Sequence, residues 1–157
     1  MRYFAYGSNM SAAVISAVSP AHRFLGAAQL RGHRLAFTRR SIRTGSGVAD
    51  MVADPVAEIW GALYELPGSE LAGLDRKEGV GFAYERRAVL VHTAEGRPQE
   101  AFAYAVASRE PLEISPSPDY LGAILTAASE RGLPEAYLRS LRALLERWHP
   151  QPSPSGR

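Results

Sequence analysis

A chain of 157 residues, 46% hydrophobic and 22% charged, has the length of one domain with a buried core and the balance of an ordinary globular protein rather than a disordered or fibrous one. Its 18 basic and 16 acidic side chains leave a formal charge of +2, too small a surplus to call for a nucleic acid partner. Without cysteine there is no disulfide, thiolate nucleophile or Cys-ligated metal, and without a secretory h-region or a run of roughly 20 apolar residues the expectation is a cytoplasmic protein that does not enter membranes.

Tyr3 to Tyr6 predicts a short strand that stops at Gly7-Ser8-Asn9, with a helix over Met10 to Val18 ending before Pro20. Phe24 to Leu30 and Arg34 to Thr38 have strand length and are separated by the turn-prone Arg31-Gly32-His33, which predicts a hairpin. After Gly45-Ser46-Gly47, two further strands are expected, Val48 to Ala53 and Glu58 to Leu66, around Asp54-Pro55. Pro67-Gly68-Ser69 reads as a helix entry, and Gly79 is the natural stop of that helix, leaving Glu78 at its end.

Tyr84 to His92 and Gln99 to Ala107 form a second predicted hairpin across Ala94 to Pro98. Beyond the proline-rich break at Pro111 to Pro118, helices are expected over Tyr120 to Glu130 and Pro134 to Trp148, split by Gly132. Residues 1–150 are taken as one domain and 151–157, composed of Gln, Pro, Ser, Gly and Arg, as a disordered tail.

His22, His33, His92 and His149 are too scattered to form the spaced pairs that bind metal. Ser8 lacks the second glycine of a nucleophile elbow, and neither glycine-rich phosphate-binding pattern occurs. What remains is the loop Tyr6-Gly7-Ser8-Asn9 at a strand end. Free amide N–H groups entering a helix can hold a substrate carboxylate or an oxyanion, or the loop can serve only as a helix cap. Glu78 is the second candidate, because a carboxylate at a helix C-terminus faces the unfavourable end of the dipole; a solvated surface Glu is its alternative reading. Tyr84 and Tyr120, each near an element boundary, could line a pocket or simply pack.

Three segments occur together in an informative order: Tyr3-Phe4-Ala5-Tyr6-Gly7-Ser8-Asn9-Met10, Leu74-Asp75-Arg76-Lys77-Glu78-Gly79-Val80 and Ser115-Pro116-Ser117-Pro118-Asp119-Tyr120. With Glu58-Ile59-Trp60-Gly61 and Gly132 to Tyr137, the sequence resembles the γ-glutamylcyclotransferase family from residue 2 to about residue 145. That resemblance implies an α+β fold, a small mixed β-barrel with flanking helices and two C-terminal helices. It also implies cyclisation of a γ-glutamyl compound to 5-oxoproline with no cofactor and no metal. Glu78 would be the catalytic carboxylate, the Tyr6, Gly7, Ser8 and Asn9 loop the cradle for the glutamyl group, Tyr120 a substrate contact and Tyr84 part of the pocket wall. The partner is a small γ-glutamyl molecule. The leaving group could belong to an amino acid, a γ-glutamylamine, a γ-glutamylated biosynthetic intermediate or glutathione. A binding module that keeps the pocket without turnover is the other reading, and the motifs carry no sign of oligomeric state.

Overall fold

In the computed structural model, which describes residues 1–152, β1 (Arg2–Ala5) runs into a 3₁₀ turn at Ser8–Met10 and then α1 (Ala12–Val18). The strands β2 (Arg23–Arg40) and β3 (Gly47–Glu65) follow, then a 3₁₀ turn at Gly68–Glu70 and α2 (Leu71–Glu78). After β4 (Tyr84–Thr93) and β5 (Pro98–Val106), the helices α3 (Pro118–Glu130) and α4 (Glu135–Trp148) complete the order. The expected tail over 151–157 lies outside the described residues from 153 onward. No helix among the described residues is long and apolar enough to cross a membrane.

The strands close into a barrel in the order β1, β3, β2, β4, β5. β1 completes the ring by pairing antiparallel to β3 and parallel to β5, which makes the barrel mixed as expected. Phe4, Phe37, Met51, Ile59 and Tyr64 are buried in one hydrophobic core, which Leu121, Ile124 and Leu141 join from the apolar stripes of α3 and α4.

Two expectations in the first half are corrected. The hairpin at Arg31-Gly32-His33 does not form, since β2 passes through it unbroken, and the break at Asp54-Pro55 does not divide β3. Both turn signals lie opposite each other: the register moves from Arg31↔Glu58 to His33↔Ala53, so the residues between are absorbed as a bulge. Pro55, which has no N–H to give a ladder, falls inside that bulge. The chain actually reverses between Arg40 and Gly47, where the amide of Ser41 donates to Ser46 and that of Gly45 to Ser41, both at 2.8 Å.

The first helix also starts later than expected. Neither Ser8 nor Asn9 caps α1; Ser11 does, its hydroxyl accepting from the Val14 amide at 3.4 Å. The loop before it is thereby released from capping.

Candidate active site

Six elements converge on one open cleft of about 330 Å³, open solvent at its mouth included. Its lining includes Tyr3, Tyr6, Gly7, Ser8 and Asn9 from β1 and the turn after it, Ala49 from β3, Glu78 from α2, Tyr84 from β4, Tyr104 from β5 and Tyr120 from α3. Every site residue expected from the sequence is in this group. Tyr3, Ala49 and Tyr104 are additional.

Glu78 reaches the cleft because α2 ends on it. Gly79 adopts the left-handed conformation at φ 65°, its amide donating to Arg76 at 3.2 Å and that of Val80 to Asp75 at 3.0 Å, the two bonds of a Schellman stop. A Cβ at this position would also press on that of Ala83 at 3.2 Å. The chain therefore turns away at residue 79 and leaves the carboxylate facing the barrel, 15% exposed. Oε1 accepts from Asn9 Nδ2 at 2.6 Å; among the described residues Oε2 accepts no hydrogen bond.

The loop opposite is held from behind. The Tyr64 hydroxyl donates toward the carbonyls of Asn9 at 2.9 Å and Met10 at 3.1 Å, and Arg131 Nε donates to the Met10 carbonyl at 2.9 Å while stacking on Phe24 and Tyr64. The first bond inside the turn runs from the Met10 amide to Gly7, so the Ser8 and Asn9 amides precede any intrahelical partner. Neither Tyr64 nor Arg131 has a local sequence signal, because each reaches the loop from a distant element.

Asn9 is only 3% exposed, and its amide is fully engaged by protein: Nδ2 donates to the Tyr3 hydroxyl at 2.8 Å as well as to Glu78, and Oδ1 accepts from Lys77 at 2.9 Å. The phenols are equally well placed. Tyr6 donates to the Tyr104 carbonyl, Tyr84 donates to the Ala49 carbonyl at 2.6 Å, and Tyr120 accepts from the Ala49 amide at 3.0 Å. Tyr120 sits in the first turn of α3 because Ser117 caps that helix, accepting from the Tyr120 amide at 3.0 Å, with Pro118 at the first helical position.

Burial pushes the Tyr3, Tyr6, Tyr84 and Tyr104 phenols well above their ordinary range and moves Tyr120 up to about 12. At neutral pH they are proton donors and not bases. Among the described residues Glu78 is the single carboxylate in the lining. Among the described residues no group of three or more His, Cys, Asp or Glu side chains could hold a metal ion.

Asp75 anchors the far wall. Its carboxylate accepts from the Tyr104 hydroxyl at 2.7 Å and from Arg86 at 2.8 and 2.5 Å. The Arg86 guanidinium, helped by Tyr104 and opposed by partial burial, holds the Asp75 carboxyl below the usual carboxylate range. A carboxyl depressed on folding adds stability above its unfolded value, about pH 4, and loses it as the pH falls through the folded one. The thermal midpoint of the wild type is therefore expected to exceed that of Arg86→Ala at neutral pH. The two should converge on acidification from about pH 5 toward about pH 2.

The AIG2-like family model matches residues 58–141. The γ-glutamylcyclotransferases of Bos taurus and Homo sapiens are each 33% identical over 147 residues, 90% of this chain and 77% of theirs. A solved structure of a γ-glutamyl cyclotransferase superposes with a TM-score of 0.86 at 30% identity, covering 100% of this chain and 91% of that one. A crystal structure of a Homo sapiens protein aligns with a TM-score of 0.84 at 33% identity, over 90% of this chain and 86% of its own.

Proposed function

The chain belongs to the γ-glutamylcyclotransferase family, and from that premise we propose that it cyclises a small γ-glutamyl compound to 5-oxoproline in the Glu78 cleft. The observation that carries the reading is one carboxylate set among protonated phenols and facing the Ser8 and Asn9 amides, with its Oε2 and those amides unpaired among the described residues. The substrate supplies its own nucleophile, so the protein has only to hold it, orient it and relay protons from the attacking to the departing nitrogen.

In this reading the glutamyl group lies across the Tyr6 to Asn9 turn. Glu78 takes a proton from the α-ammonium, and the freed amine attacks the γ-carbonyl carbon, forming the lactam C–N bond. The Ser8 and Asn9 amides stabilise the oxyanion that develops. Collapse breaks the original amide C–N bond as Glu78 returns its proton to the departing nitrogen, and the freed carboxylate then relays the second proton of the attacking nitrogen to the released amine, which leaves as an ammonium. Folding the glutamyl chain back for five-membered closure contributes through orientation. Asn9 takes part through its backbone, since its side chain is already fully paired.

Tyr120 is assigned to substrate contact. Its oxygen accepts from Ala49, which leaves its proton available to a ligand oxygen. Tyr120→Phe is expected to lower kcat/KM by about 3- to 10-fold, the weight of one neutral hydrogen bond. Steady-state kinetics on a γ-glutamyl amino acid checks this. Tyr84 spends its proton on Ala49 and serves as wall.

The reading is tested by offering γ-glutamyl amino acids, a γ-glutamylamine and glutathione, and measuring 5-oxoproline. Formation from any of them supports it. Ligands that raise the melting temperature without being consumed would instead favour a binding module.

A further inference from the structure

Lys77 is the only lysine in the chain, and it does not stand free in solvent. Its ammonium donates to Asn9 Oδ1 at 2.9 Å and lies 3.6 Å from Glu78 Oε1, with the side chain 32% exposed. This contact determines which way the Asn9 amide points. An ammonium can only donate, so it selects the carbonyl end of the amide; Nδ2 must then face the opposite side. There it meets Glu78 Oε1 at 2.6 Å and the Tyr3 hydroxyl at 2.8 Å. With the amide reversed, a carbonyl oxygen would face the carboxylate and two groups of donors would confront each other at Lys77.

We infer that Lys77 is a positioning residue for the reaction: by fixing the Asn9 amide it holds Glu78 through Oε1 and leaves Oε2 directed to substrate. The inference rests on the reading of Glu78 as proton carrier. Lys77 itself touches no reacting atom. Its effect belongs to the chemical step, because the glutamyl group is assigned to the backbone amides of the turn and to Tyr120, whereas the polar contacts of Lys77 among the described residues are with the side chains of Asn9 and Glu78. Arginine could supply the charge and donors, but its planar fork does not reproduce a compact ammonium on one carbonyl.

The test compares the wild type with Lys77→Met, which keeps the aliphatic stem, and Lys77→Arg. For Lys77→Met, kcat on a γ-glutamyl amino acid should fall about 10-fold or more, as a carboxylate set loosely in its site requires, with KM changed less than about 2-fold and an unchanged melting temperature. Lys77→Arg should recover part of kcat. In ¹⁵N-labelled protein the side-chain NH₂ protons of Asn9 should exchange slowly in the wild type and faster in Lys77→Met. Wild-type kcat in Lys77→Met, a loss confined to KM, or unchanged Asn9 exchange overturns the inference. Should the wild type form no 5-oxoproline, the proposed function fails, while the exchange comparison still decides whether Lys77 fixes the amide.

Discussion

Glu78→Gln is expected to leave the barrel folded and to lower 5-oxoproline formation by about 10²-fold or more, the scale of general acid–base catalysis. Glutamine conserves the volume, and its carbonyl can still accept from Asn9 Nδ2, so the turn and the end of α2 keep their arrangement. What disappears is the ability to carry a proton between the α-ammonium and the leaving amine. The phenols cannot take over, since burial raises all of them far above neutral pH, and the lining contains no second carboxylate. Circular dichroism should be unchanged while turnover collapses. A folded Gln variant with normal turnover would remove Glu78 from its role.

Asp50→Ala is expected to destabilise the fold by about 3–5 kcal/mol, the cost of leaving several buried donors without the acceptor that satisfies them. Asp50 is fully buried at 0% exposure. Its Oδ1 accepts from the Met51 and Val106 amides, both at 2.9 Å, and its Oδ2 from the Thr38 hydroxyl at 2.8 Å and Arg109 Nε at 2.6 Å. One carboxylate thus ties β2, β3 and β5 to the chain beyond β5, and alanine leaves two buried amides, a hydroxyl and a guanidinium without their acceptor. Urea denaturation should show the loss. Activity should fall as well, because Asp50 follows Ala49, whose amide and carbonyl hold Tyr120 and Tyr84. A loss under about 1 kcal/mol would mean that the network contributes little.

Features set by neighbouring residues were legible in the sequence. Gly79 after Glu78 announces a helix stop, Ser117-Pro118 announces a helix start that places Tyr120 in its first turn, and the alternating runs around Ala94 to Pro98 announce a hairpin. Gly32 and Pro55 misled because a turn signal does not say whether the chain reverses or bulges; only the partner strand decides, and each faced the other. Tyr3, Tyr104, Asp50, Tyr64 and Arg131 were not legible as parts of the site. Tyr104, Asp50, Tyr64 and Arg131 bond to partners tens of residues away, and for Tyr3, bonded to nearby Asn9, nothing local distinguishes a phenol that lines a cleft from one that packs in a core. Lys77 stood in plain view beside Glu78, but its role depends on Asn9, 68 residues away in the chain.

The proposed reaction is an intramolecular attack by the substrate's amine rather than by water. The direct measurement is turnover of a γ-glutamyl amino acid in H₂¹⁸O, followed by mass spectrometry. Cyclisation predicts free amino acid and 5-oxoproline in equal amounts, with no ¹⁸O in the ring carbonyl, because no water enters the new bond. Glutamate carrying ¹⁸O in its side-chain carboxylate would identify a hydrolase and contradict the mechanism.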